Sequence, residues 1–311
     1  MTTLLILTWI IQLIFVPLAS PLCIGVIRKI KARLQNRQGA GIFQPYFDIW
    51  KLLHKDEVIS KDASWIFRFA PYIIFTSTIV VGLATPLFAT FINNNFTGDI
   101  LVIVCTLSIG TFFLALAGMD TGGGFGGFGS SREMTMTALS EGGFIFSLLT
   151  MAIITNTTNL FSIAQNASLL PGQFFLSITL AFLGFFMVML AETSRFPFDN
   201  PATHLELTMI HEAMILEYSG KKLALIEWAS ANKLLIFIAL ASNLFFPFGI
   251  AQSATASALF FGIIIFSIKI IIFCATIAIL ESSIAKLRFF RLPDLLLISF
   301  IFNIIAIILI K

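Results

Sequence analysis

Apolar residues along this chain neither alternate with polar ones nor gather into a single helical stripe. They run almost unbroken for about 20 residues at a time, the length a helix needs to cross the hydrocarbon core of a bilayer. Eight such runs can be drawn, at roughly 3–27, 66–92, 99–119, 134–155, 173–191, 233–252, 256–280 and 294–310. The fourth has Glu133 at its leading edge and Glu141 in its first half. The pattern predicts an all-α integral membrane protein with eight transmembrane helices forming one transmembrane domain over 1–311. Three polar stretches, 28–65, 120–132 and 192–233, stand out between the runs.

Charge placement orients the bundle. Of the 19 Lys and Arg residues, 17 fall in or at the edges of the first, third, fifth and seventh connections, and none in the second, fourth or sixth. Positive residues stay on the cytoplasmic side, so the odd connections are expected to be large cytoplasmic loops and both termini to lie outside. Of the 16 acidic residues only Asp99 falls in an expected external loop.

Composition closes off the soluble alternatives. Hydrophobic residues make up 58% of the chain and charged residues 11%, against about a quarter charged in ordinary soluble domains. The 35 phenylalanines suit lipid-facing surfaces. Cys23, Cys105 and Cys274 lie in separate apolar runs with no CxxC or Cys/His cluster, which leaves structural zinc and iron–sulfur ligation by this chain unsupported. The first run has no basic segment before it and basic residues after it, which reads as a retained helix and not a cleaved signal peptide.

The polar stretches carry the candidate chemistry. The first begins Arg28-Lys29-Ile30-Lys31-Ala32-Arg33 and continues through Arg37, with Gln35, Gln38, Gln44 and Asp48 set among the cations. Lipid headgroups alone explain the cations; the interleaved polar groups point to a protein-docking surface, followed over 45–54 by a short interfacial helix. In the second stretch Gly124 to Gly129 matches GxGxxG, but no strand precedes it. A tightly turned or mobile, closely packing backbone is expected there instead. In the third, Pro197 and Pro201 forbid a continuous helix, after which Thr203 can cap an amphipathic helix reaching about Tyr218, with Gly220 as its stop. On that helix His204 and His211 fall on one side and Glu206 and Glu217 nearly opposite. This suits a helix wedged between the membrane body and another protein. The two histidines are seven apart, too far for a zinc pair on one helix.

Glu133, Glu141, Glu192, Lys269 and Glu281 lie within or beside the runs. An ionised group at mid-bilayer costs about 2.5–3.5 kcal/mol on insertion scales. Such residues either line an ion path or sit wet at helix ends. Lys269, near the middle of its run, is expected to pair with a carboxylate.

Three motifs carry a resemblance. Ala191-Glu192-Thr193-Ser194-Arg195-Phe196-Pro197-Phe198-Asp199, Glu217-Tyr218-Ser219-Gly220, and Arg33 to Gly39 followed by Gln44-Pro45 and Asp48-Ile49-Trp50-Lys51 together resemble the membrane anchor subunit of respiratory complex I. The same motifs mark its relatives in membrane-bound (group 4) nickel–iron hydrogenases. Pro201-Ala202-Thr203-His204 and the run to Glu217 lean towards the formate hydrogenlyase and hydrogenase-4 type branch. The resemblance implies that this chain binds no cofactor and no nucleic acid. The nickel–iron centre and iron–sulfur clusters would sit in partner subunits: hydrogenase large and small subunits and a ferredoxin-like iron–sulfur subunit, beside antiporter-like membrane subunits. The chain itself would lie in the cytoplasmic (inner) membrane. It would anchor that peripheral arm, with Arg33, Arg37, Asp48, Lys51, Arg195 and Asp199 as docking candidates. It would also couple electron transfer to proton or sodium movement, with Glu133, Glu141, Glu192, Glu206, His211, Glu212, Glu217 and Lys269 as relay candidates. A quinone-site subunit of an NADH dehydrogenase and a stand-alone ion-coupled secondary transporter are the alternatives.

Overall fold

The computed structural model describes residues 2–91, 97–169, 172–199, 209–285 and 287–310. Among them every regular element is a helix, apart from two isolated β-bridges. Eight helices among the described residues are long and apolar enough to cross a membrane: α1 (Thr2–Leu34), α3 (Trp65–Ala84), α4 (Ile100–Asp120), α5 (Gly124–Thr155), α7 (Phe175–Glu192), α9 (Gly220–Leu244), α10 (Ala256–Ser283) and α11 (Leu292–Ile308). Three short helices, α2 (Gln44–Leu53), α6 (Leu160–Ala167) and α8 (His211–Ile215), lie in the connections.

α9 is the axis of the bundle. Every residue from 234 to 245 is buried, with α1 and α3 packed along it. α5 packs on α4, α7 and α11, while α10 lies against α1. Polar side chains seal several of these contacts. Asn303 of α11 donates to Gly143 O of α5 at 2.9 Å, in a gap kept open by Gly184 of α7. Ser20 donates to Asn232 Oδ1 at 2.6 Å, and the Asn232 amide reaches Thr78 Oγ1 at 3.2 Å, joining α1, α9 and α3. Hydrogen bonds and close packing are what hold helices together where lipid is as apolar as the side chains.

Two starts differ from the sequence expectation. α5 begins at Gly124, so most of the glycine-rich stretch is helix, not loop. Its glycines are needed for approach: a Cβ on Gly126 would come within 2.1 Å of Gly118 O on α4, and one on Gly129 within 2.9 Å of Ile210 O just before α8. α9 begins at Gly220, not near 233, because its charges find partners: Lys222 pairs with Glu57 at 3.2 Å and Lys233 with Glu192 at 2.8 Å. The helix expected from Thr203 to Tyr218 has its first part, with Thr203, His204 and Glu206, outside the described residues; the described part is helical only over α8.

The EYSG motif has a structural role. The Tyr218 ring stacks on Phe67 at 3.9 Å and its hydroxyl donates to Phe67 O at 2.9 Å. Ser219 exchanges hydrogen bonds with the backbone of Val58, and Gly220, at φ +55°, lies against Asp56 O. The motif therefore ties the entry of α9 to the connection leading into α3.

Replacing Gly126 with alanine is expected to push α4 and α5 apart and cost about 1–3 kcal/mol, the usual penalty of overpacking. Gly127→Ala, which meets nothing within 4 Å, should be neutral or slightly stabilising. Thermal unfolding of the two variants side by side checks this.

Candidate functional site

The C-termini of α1, α4, α7 and α10 and the N-termini of α3, α5, α9 and α11 share one end of the bundle, and the charges gather there. At its centre Glu281 of α10, 5% exposed, accepts from Lys31 Nζ at 3.1 Å and from Arg195 Nη1 at 3.2 Å. Lys31 also lies over the Phe196 ring at 4.7 Å. The segment 193–199 leaves α7 and is pinned to α1 and α10 by this shared carboxylate. It carries Asp199 to the start of α8, where Asp199 Oδ2 accepts from the backbone N–H groups of Ile210 and His211 at 3.1 and 3.2 Å. A carboxylate at the leading end of a short helix satisfies donors that would otherwise be unpaired.

Three polar cavities follow one another inward from this network. The outermost, about 120 Å³, is bordered by Arg28, Asp48, Glu227, Arg195, Asp199 and Glu212. It shares Thr193, Ser194, His211 and Ser230 with a second cavity of about 40 Å³, into which Glu133, Glu192 and Lys233 face. The second shares Leu107, Thr111 and Glu192 with a third of about 10 Å³, bordered by Glu141 and Ser108. At about 10–15 Å³ per water the second has room for roughly three waters and the third for one.

The carboxylates are set differently. Glu192 accepts from Lys233 at 2.8 Å and also from the Ser140 hydroxyl. Glu141 accepts from the Ser108 hydroxyl at 2.6 Å. Glu133 and Glu141 sit on the same helix and face neighbouring cavities that both touch Glu192. His211 stands between the first two cavities. Burial pushes its ring down to about 4; the Asp199 carboxylate opposes the shift and the Lys233 ammonium adds to it. The ring is therefore neutral near pH 7, with one nitrogen to donate and one to accept.

The remaining candidates separate. Glu212 borders the outer cavity, whereas Glu217 is exposed and away from all three. Glu206 lies outside the described residues. Arg33, Arg37 and Lys51 are exposed, and Asp48 pairs loosely with Arg28 at 3.9 Å. Arg195 and Asp199, expected at a docking face, are instead 7% and 3% exposed and committed to internal contacts. Lys269 pairs with no carboxylate among the described residues; its three acceptors are Ser242 O, Asn243 Oδ1 and Phe246 O, at the opposite end of α9. Glu227 and Ser230 were absent from the sequence candidates because the sixth span was placed to begin after them. Among the described residues no three His, Cys, Asp or Glu side chains converge as a metal site would require.

A separate apolar cavity of about 460 Å³ opens between α1, α2 and α9, lined by Pro21, Tyr46, Phe47, Trp50, Leu53 and Trp228 together with Ile49. It shares Pro21 and Ile49 with the outermost polar cavity.

A sequence model described as NADH dehydrogenase matches residues 6–311. The chain is 34% identical over 278 residues to hydrogenase-4 component C of Escherichia coli (strain K12), covering 89% of this chain and 87% of that protein. It is 29% identical over 297 residues to formate hydrogenlyase subunit 4 of the same organism, covering 96% of both. NADH-quinone oxidoreductase subunit 8 of Rhodothermus marinus is 28% identical over 229 residues, 70% of this chain and 66% of that one. In fold, a chain of the membrane-bound sulfane sulfur reductase, an archaeal respiratory membrane complex, superposes with a TM-score of 0.80 at 19% identity. That match covers 97% of this chain and 99% of the other.

The depressed His211 value ties stability to pH. Above about 6.5 the ring is neutral whether the chain is folded or not. Between 6.5 and about 4 only the unfolded chain takes up the proton, so stability falls as pH falls through that window and levels off below it. The full loss is on the order of 3 kcal/mol at about 1.36 kcal/mol per pKa unit. Melting temperatures of the solubilised protein at pH 7.5 and 5 should show the fall, and His211→Gln should flatten it.

Proposed function

The chain belongs to the NADH dehydrogenase family, and we propose that it is the membrane subunit of a hydrogenase-type complex that anchors a peripheral nickel–iron and iron–sulfur arm and couples its electron transfer to proton or sodium translocation. The observation that carries the coupling is the row of three cavities. It leads from the ion-paired end of the bundle, past His211, to Glu133, Glu192 and finally Glu141, with each cavity sharing wall residues with the next. The likeness to hydrogenase-4 component C and formate hydrogenlyase subunit 4 supports the choice of complex.

In this reading the ion-rich end faces the cytoplasm, both termini lie outside, and the membrane is the cytoplasmic one. The one-sided distribution of Lys and Arg favours that orientation. Arg33, Arg37 and Lys51, all exposed, are with Asp48 the residues offered to the peripheral arm. The cavities supply the relay. Moving one charge against about 150 mV costs roughly 3.5 kcal/mol, which corresponds to a swing of about 2.5 pKa units on a relay carboxylate. Glu192 stands where the second and third cavities meet, held by Lys233 of α9 and the Ser140 hydroxyl of α5, which makes it the link between Glu133 and Glu141 in such a relay.

The apolar cavity beside the outermost polar one favours a second reading, a quinone-reactive subunit. An amphiphile with an apolar tail would find apolar walls at the bilayer side and Arg28, Asp48 and Glu227 further in. Purification in mild detergent separates the two: a co-purifying nickel-containing large subunit with hydrogen evolution supports the first, and a flavin-containing NADH-oxidising arm with quinone reductase activity the second.

Glu192→Gln and Glu141→Gln are each expected to at least halve the ions moved per hydrogen evolved in inverted vesicles while leaving the subunits assembled; unchanged pumping in both would sink the relay. Arg33→Glu with Arg37→Glu is expected to release the peripheral arm from washed membranes, which immunodetection of that arm in the supernatant measures.

A further inference from the structure

At the end of the bundle away from the cavities, α3 stops at Ala84 and α9 at Leu244, and the extended segments that follow them pair side by side. Thr90 N–H donates to Ala251 O at 3.0 Å and Ala251 N–H to Phe88 O at 2.9 Å. Both helices therefore end inside the body with carbonyls that have no helical partner. The Gln12 amide serves α3, donating to Gly82 O, Leu83 O and Thr85 O at 3.2, 3.2 and 2.6 Å. The Asn243 amide crosses from α9 to Pro86 O at 2.8 Å, which turns its own oxygen the other way. That oxygen, with Ser242 O and Phe246 O, surrounds the Lys269 ammonium at 3.0, 3.3 and 2.7 Å.

An ammonium has three donors and no acceptor, and here it meets three oxygens at the negative end of a helix dipole. Paired helix breaks with free carbonyls and a helix C-terminus are the setting in which membrane proteins hold sodium or a proton. We infer that Ser242 O, Asn243 Oδ1 and Phe246 O form a monovalent-cation site whose resident cation is the chain's own Lys269 ammonium, which fixes the joined ends of α3 and α9. Lys269 is then a positioning residue outside the ion relay. A free cation would have to leave and re-enter, whereas the tethered one holds the breaks closed at any salt concentration. The inference is independent of which redox complex the chain serves.

Lys269→Met removes the cation and leaves the oxygens. The full chain, purified with whatever subunits accompany it, is expected to melt about 5 °C or more below the unaltered protein when choline is the only cation. Millimolar sodium or potassium should return most of that loss, with no such effect on the unaltered protein. A variant that melts normally in choline overturns the inference, as does a lowered melting point that sodium and potassium leave unchanged. A variant of unaltered stability that moves fewer ions per turnover would make Lys269 a relay residue and would also overturn it. If Lys269→Met does not assemble, recovery by Lys269→Arg and not by Lys269→Gln supports the tethered cation, and equal recovery by Gln overturns it.

Discussion

A backbone carbonyl or amide that loses its helical partner inside a bilayer must be given another, because no water is there to take it. Much of the polar architecture of this bundle answers to that requirement. Pro21 in α1 has no N–H to offer Pro17 O, and the Trp228 indole N–H donates to that oxygen at 2.8 Å instead. The Tyr46 hydroxyl takes Leu18 O in the same loosened turn. Gln12, Asn243 and Lys269 do the equivalent for the ends of α3 and α9, and Asp199 for the start of α8. Each break is stitched by a side chain from another element, so irregular backbone becomes a point where helices are joined.

The ion-rich end follows a related logic with charges. Two cations on one buried carboxylate, Lys31 and Arg195 on Glu281, join three parts of the chain distant in sequence. Stranding either partner of a buried pair typically costs about 3–5 kcal/mol, since a lone charge is left without water. The segment from Thr193 to Asp199 is held this way, and its position decides where α8 and His211 stand. The same segment supplies Thr193 and Ser194 to the walls of the two outer cavities.

The spans were legible because a run of about 20 apolar residues has few alternative readings. The two misplaced starts share a cause: sequence rules read glycine-rich and charged stretches as loops, while packing against a particular neighbour decides otherwise. Gly126 and Gly129 look like helix breakers until Gly118 O and Ile210 O come close to them. Lys222 and Lys233 look like loop cations until Glu57 and Glu192 arrive across the bundle. The same blindness to partners left unseen the internal contacts of Arg195 and Asp199, expected at a docking face, and of Lys269, expected to meet a carboxylate. Glu227 was missed as a consequence of the late start given to α9. Glu133, Glu141 and Glu192 were identifiable individually, but their order was not, since it depends on Glu192, on a different helix, bordering the cavities of both Glu133 and Glu141.

α5 is 32 residues long, about 48 Å at 1.5 Å per residue, against a hydrocarbon core of about 30 Å. It is therefore longer than a perpendicular crossing needs, and near its start Gly129 lies against Ile210 and Ala213 of the α8 region. From Gly129 to Glu141 the helix runs without proline for about 18 Å, and it reaches Gly142 and Gly143 only just past Glu141. The contact with α8 and the carboxylates Glu133 and Glu141 are therefore carried on one unbroken helix. Whatever fixes the position of Gly129 against α8 fixes the positions of both carboxylates with it.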